Sequence, residues 1–187
     1  MDRQAAWELL CEYTTGEGLR KHGLAVEAVM RHFARKHGQD EEAWAVVGLI
    51  HDFDYERFPD EHPQRGAEIL RARGLPEASV QAVLAHGDHL GVPRDTLLAK
   101  VLYAVDELAG FVTAVALVRP NKSIHEVEPA SVRKKMKDRA FARSVSRDGI
   151  LKGAQELGVE LDGHIAEVIA AMSAVAPALG LAGLSSS

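Results

Sequence analysis

The chain has a single cysteine, few aromatic residues, no long apolar run and no surplus of positive charge, and each shortage excludes a class of protein. With Cys11 alone no internal disulfide framework can form, and a reducing compartment, the cytoplasm, is expected. Aromatic residues make up 5% of the chain, so a core must be built mainly from aliphatic side chains. No uninterrupted apolar stretch is long enough to span a bilayer. The N-terminal stretch carries Asp2, Glu8, Glu12 and Glu17, unlike a secretory leader. A formal net charge of −5 is not that of a protein that coats a nucleic-acid polymer, and no membrane partner is expected. Sustained period-two alternation is missing as well, so strands are not expected.

What is present is helical periodicity. A length of 187 residues with 47% hydrophobic content suits a single globular domain. Nearly every segment repeats apolar residues at intervals of three to four, which predicts an all-α fold of about eight to ten helices. The first helix is expected over Arg3 to Tyr13, with Ala6, Leu9, Leu10 and Tyr13 on one face. The second spans about Leu19 to Lys36, with Leu24, Val26, Met30 and Phe33 as its stripe and Gly38 as its stop. Asp40 is a suitable N-cap for a third helix that ends at His51-Asp52. An acidic and aromatic loop, Phe53 to Glu61, follows. His62-Pro63 opens a short helix to about Arg73, and Pro76 opens another that ends near His86-Gly87. Pro93 starts a long apolar helix through Asp106 that ends by Val118. Beyond it lie a basic segment, Val132 to Arg147, and an alanine-rich last helix, about Leu161 to Ala178, that trails into Gly183 and Ser185-Ser186-Ser187, where fraying is expected.

The chemistry centres on His51 and Asp52, two adjacent ligand-type residues at the end of the apolar run Ala43 to Ile50. An imidazole and a carboxylate side by side can hold one cation, and a carboxylate can bridge two through its two oxygens. Of nine histidines, His22, His51, His62 and His86 each sit within or at the boundary of an apolar helix, and so does Asp106. Unpaired polar groups in such places are expensive, and a metal gives them a common reason to converge. Four imidazoles and two carboxylates suffice for two divalent transition-metal ions. Their nitrogen and oxygen donors favour iron or manganese, with zinc, cobalt or nickel as further candidates, over calcium. The absence of thiolates argues against a closed structural zinc site.

The order His22, then His51-Asp52, then Asp106, all on helices, resembles the HD-domain superfamily of metal-dependent phosphohydrolases. The resemblance covers roughly Leu19 to Phe111. It implies a helical bundle with its core at about 19–118 and a C-terminal helical extension at about 119–182, together making one domain over 1–187. His62-Pro63-Gln64-Arg65-Gly66-Ala67-Glu68-Ile69-Leu70 is similar to the third-histidine segment of the superfamily's binuclear branches, and Ala82-Val83-Leu84-Ala85-His86 to the fourth. The resemblance implies a six-ligand binuclear site of His22, His51, Asp52, His62, His86 and Asp106, with Asp52 as the bridge. His89, three positions after His86, is the alternative to it and otherwise a substrate contact. Departures are equally plain. Tyr55 stands where the binuclear branches commonly carry lysine. Gly87 follows His86 where the cyclic-di-GMP phosphodiesterases have a second histidine, and their Gly-Tyr-Pro loop is missing, so that activity is excluded.

The function this implies is hydrolysis of a small phosphorylated molecule or nucleotide. Asp52 bridges the ions, and Asp54 or Glu56 protonates the leaving oxygen. Tyr55, His89, Lys100, Lys137 and Arg143 are candidate substrate contacts. Lys137, Arg139, Arg143 and Arg147 are either a phosphate clamp or a solvated helix face. The alternative is an HD-fold di-iron oxygenase of the myo-inositol oxygenase and phosphonate-cleaving type. A non-catalytic HD-like binding module is the third reading. His32, His37, His125 and His164 are expected to be solvated.

Overall fold

The computed structural model describes residues 1–184, which hold ten α-helices, two short 3-10 helices and no strand. The predicted all-α architecture is therefore present. The chain forms two compact units, Met1–Tyr103 and Ala104–Ser187, with the boundary inside one long helix.

In the first unit, α1 is Arg3–Tyr13, α2 Glu17–Lys36, α3 Glu41–Ile50, α4 Gln64–Ala72, α5 Glu77–His86, and α6 begins at Leu97. The α3 helix is the central one: every residue from Trp44 to Ile50 is buried. A run apolar on all sides must be buried, and here α1, α2 and α5 pack on it. Asp40 caps it as expected, accepting from the backbone N–H groups of Glu42 and Ala43, both at 3.0 Å, an arrangement worth about 1 kcal/mol. Gly48 sets how closely α2 and α3 approach. A Cβ there would lie 2.8 Å from Met30 Cγ and 2.9 Å from the Val26 carbonyl oxygen. Small spacing at this crossing brings the start of α2, with His22, to the end of α3, with His51.

The second unit holds the rest of α6 (Leu97–Leu117), then α7 (Pro129–Met136), α8 (Arg147–Leu157), α9 (Leu161–Ser173) and α10 (Ala176–Leu179). Two boundaries differ from expectation. Pro93 does not start α6; the helix begins four residues later, where Thr96 Oγ1 accepts from Ala99 N at 3.2 Å. The expected last helix is broken at Ala174–Val175, because Pro177 lies in the first turn of α10 and cannot extend the α9 hydrogen-bond ladder. In the basic segment, for which the sequence sets no helix bounds, α7 stops at Met136 and an irregular stretch leads to α8. The expected fraying of Ser185–Ser187 lies outside the described residues. Among the described residues no helix is long and apolar enough to cross a membrane.

Candidate metal centre

Four elements of the first unit converge on Asp52. His22 comes from the second turn of α2, His51 caps α3, His62 precedes α4 and His86 is the last residue of α5. The Asp52 carboxylate stands between two histidine pairs. Its Oδ2 lies 3.8 Å from His22 Nε2 and 3.5 Å from His51 Nε2. Its Oδ1 lies 3.2 Å from both His62 Nε2 and His86 Nε2. Within the pairs, His22 Nε2 and His51 Nε2 are 3.3 Å apart, and His62 Nε2 and His86 Nε2 are 3.2 Å apart. One carboxylate thus offers one oxygen to each pair.

The opposite ring nitrogens fix which atoms face inward. His51 Nδ1 donates to the Gly48 carbonyl at 2.8 Å, and His86 Nδ1 donates to the Val83 carbonyl. A carbonyl can only accept, so each Nδ1 carries a hydrogen and each Nε2 presents a lone pair when the ring is neutral. In each short pair, His22–His51 and His62–His86, the lone pair of one ring faces a nitrogen of the other, a contact that a shared proton or a cation between them relieves. The donor set therefore fits a divalent transition metal: neutral imidazole nitrogens, held by backbone carbonyls, beside an ionised carboxylate. Ligand-type atoms of His22, His51 and Asp52, and separately of Asp52, His62 and His86, lie within 4.8 Å of one another.

Electrostatics agree with an ionised Asp52. Burial works against its charge, but with no metal bound the attraction of a charged His51 and hydrogen bonds from His62 and His86, when those rings carry a proton on Nε2, outweigh it and hold the carboxyl well below the usual range. Burial likewise works against a charged His62, yet its bonds to Asp52 and Asp54 raise it to about 9.

Asp54 and Glu56 are placed differently from the proton-donor expectation. Asp54 is fully buried; its Oδ1 accepts from His62 Nδ1 at 2.7 Å and its Oδ2 from the Gly66 backbone N–H at 2.7 Å. A carboxylate behind a ligand histidine fixes its tautomer and orientation. Gly66 is required for this. A Cβ at that position would fall 2.7 Å from Asp54 Cγ and 2.7 and 2.8 Å from its two oxygens. Glu56 accepts from Thr15 N at 3.0 Å, Thr15 Oγ1 at 2.5 Å and Gly16 N at 2.9 Å. Those bonds, that of the Thr15 hydroxyl foremost, lower its pKa and tie the loop to the entrance of α2. Beside it, buried Thr14 donates to the Phe53 carbonyl at 2.9 Å.

Of the other candidates, Tyr55 is 51% exposed and stands edge-on to His62, with ring centroids 5.3 Å apart. His89 is exposed on the 3-10 turn Asp88–Leu90, while His86 makes the Asp52 contact. Lys100 is half-buried on α6. Asp106 lies on the same helix, in the second unit. Lys137 and Arg143 are exposed in the second unit. Arg147 is committed locally: its Nη1 donates to the Ala142 and Val145 carbonyls at 2.6 and 2.8 Å, and its Nη2 to the Asp138 carbonyl at 3.1 Å and to that of Phe141. Its guanidinium also stacks 4.7 Å from the Phe111 ring centroid. His164, expected in solvent, is buried and donates from Nε2 to the Ala104 carbonyl at 2.9 Å.

Sequence reasoning missed the Gly66–Asp54–His62 chain. Its one signal was a glycine in the first turn of a helical pattern, which asks for a packing reason.

An all-helical protein with a histidine and aspartate cluster able to hold metal is the class that fold and site define. Residues 19–110 match the family model of the HD domain, so this stretch of the chain is an HD domain. Neither the curated proteins nor the solved structures give a match.

Proposed function

We propose that the protein is a metal-dependent phosphohydrolase with a binuclear centre, acting on a small phosphorylated molecule or nucleotide. The observation that carries this reading is the division of Asp52, one oxygen toward His22 and His51 and the other toward His62 and His86. In this reading those five residues are ligands, and Asp106, inside the matched span on α6, completes the set. The ions, iron or manganese before zinc, cobalt or nickel, would supply Lewis acidity toward a phosphoryl oxygen and a lowered pKa for water.

The chain's own residues do the rest. Asp52 holds the two histidine pairs at a common centre. Asp54 keeps the His62 Nδ1 proton and so aims Nε2 inward. His51 and His86 are locked by backbone carbonyls, which leaves little reorganisation on binding. Tyr55 meets the substrate at the exposed edge of His62. Lys100, His89, Lys137 and Arg143 are the proposed contacts to the phosphate and the rest of the substrate, each worth about 1.5–3 kcal/mol where a charged group is directly bonded.

One observation keeps the di-iron oxygenase reading beside it. Asp54 and Glu56 are both committed to other groups, so neither is a ready proton donor for a leaving oxygen. The deciding experiment is a screen of phosphate esters, nucleotides and phosphonates with metal-reconstituted protein, in air and under anoxia, with Asp52→Ala as control. Phosphate release that is independent of oxygen and abolished in the variant supports the hydrolase. Turnover that requires oxygen and ferrous iron would replace it with the oxygenase.

A further inference from the structure

The second unit contains a cavity of about 280 Å³ lined by Val115, Val118, Arg119, Ser131, Lys134 and Lys135. None of these residues belongs to the histidine and aspartate cluster. Three of the six are cations and none is a carboxylate, in a chain whose net charge is −5. Each cation taken singly has an ordinary explanation. Lys134 and Lys135 stand in the last turn of α7 and Arg119 just follows α6, positions where positive charge meets the negative end of a helix. That does not explain why three of them surround one cavity.

The state of the individual groups narrows the matter. Arg119 Nε is shut off from solvent and has no hydrogen-bond partner, a costly condition for a donor on a charged group. Ser131 is spent on the cap of α7: its hydroxyl donates to the Glu128 carbonyl at 2.7 Å and accepts from Glu128 N at 3.2 Å. Lys135 Nζ lies 4.6 Å from the Phe141 ring centroid. The donors left for a ligand are those of Arg119 and Lys134, with the charge of Lys135 beside them and Val115 and Val118 as an apolar wall.

We infer that this cavity binds a small phosphorylated anion, independently of the reading of the metal centre. Its volume is near the lower end of ligand pockets, roughly 300–1,000 Å³, so it takes one small molecule and no polymer. A phosphate carries about −1.5 to −2 charges and three acceptor oxygens, which suits a planar arginine fork beside two lysine point charges. A single carboxylate would leave most of that positive charge unanswered.

The test is calorimetric titration of inorganic diphosphate into the full chain, with and without EDTA. Binding should be the same in both conditions. It should weaken at least ten-fold in Arg119→Ala and in Lys134→Ala, and change less than twofold in Arg133→Ala, a neighbouring cation that faces Asp162 at 3.5 Å outside the cavity. Lys134 is exposed, so its variant tests the site even if Arg119→Ala melts early. Three results overturn the inference: no binding at millimolar diphosphate, unchanged affinity in Lys134→Ala, or binding that disappears with EDTA.

Discussion

Replacing Gly66 with alanine sets two principles against each other. Gly66 is the third residue of α4, and helix propensity alone favours alanine over glycine by about 1 kcal/mol. The local geometry says the reverse. The new Cβ would sit within 2.8 Å of three atoms of the Asp54 carboxylate, and Asp54 has no exposed surface into which to retreat. The bond from Gly66 N to Asp54 Oδ2 and the one from His62 Nδ1 to Asp54 Oδ1, both 2.7 Å, cannot both survive. A lost hydrogen bond to a buried charge costs about 1.5–3 kcal/mol and overpacking about 1–3 kcal/mol. Set against the propensity gain, the net is a destabilisation of about 2 kcal/mol or more, read as a lower urea midpoint of the metal-free protein. Disturbing the partner of a ligand histidine also weakens metal binding about ten- to a hundred-fold, read by competition with a chromogenic chelator. A variant that is more stable than the parent and binds metal within twofold of it would refute the reasoning.

Four further outcomes are expected. In metal-free protein the stabilising bonds of charged His62, whose pKa is raised from 6.5 to about 9, are fully present below pH 6.5 and lost as pH rises through 9. Urea unfolding should show that loss, and His62→Gln should flatten it. Because His62 must shed that proton to bind a metal, metal affinity should rise with pH up to about 9, and calorimetry in buffers of different ionisation enthalpy should register proton release. Glu56→Gln should keep turnover within several-fold while lowering the melting temperature, since Glu56 anchors Thr15 and Gly16; loss of a general acid would instead cost about 10²–10⁴ in rate. Gly48→Ala should destabilise, because the added methyl meets the Val26 carbonyl and Met30, and a rise in melting temperature would contradict the close α2–α3 approach.

Much of the first unit was legible because its signals are local. The apolar stripe of α1, the Asp40 cap and the all-apolar run of α3 lie within a few residues of what they determine, and α1 and α3 start where the sequence places them. The histidine order was legible because each of the four lies within or beside a helix. The tasks of Asp54 and Glu56 were not, since a carboxylate's partner is invisible when it lies far along the chain. Gly66 is 12 residues from Asp54, and Thr15 is 41 from Glu56. His164 was misjudged for the same reason: the carbonyl that makes its burial tolerable belongs to Ala104, 60 residues away. In the basic segment, the dense positive charge concealed where α7 stops and α8 begins.

The most direct measurement is metal stoichiometry by elemental analysis of protein reconstituted under anoxia, parent beside variants. A centre in which one carboxylate serves two histidine pairs predicts about two transition-metal ions per chain, about one in the His62→Ala/His86→Ala double variant and almost none in Asp52→Ala. A parent that takes up a single ion, or an Asp52→Ala protein that keeps its full metal content, would contradict the bridging role of Asp52.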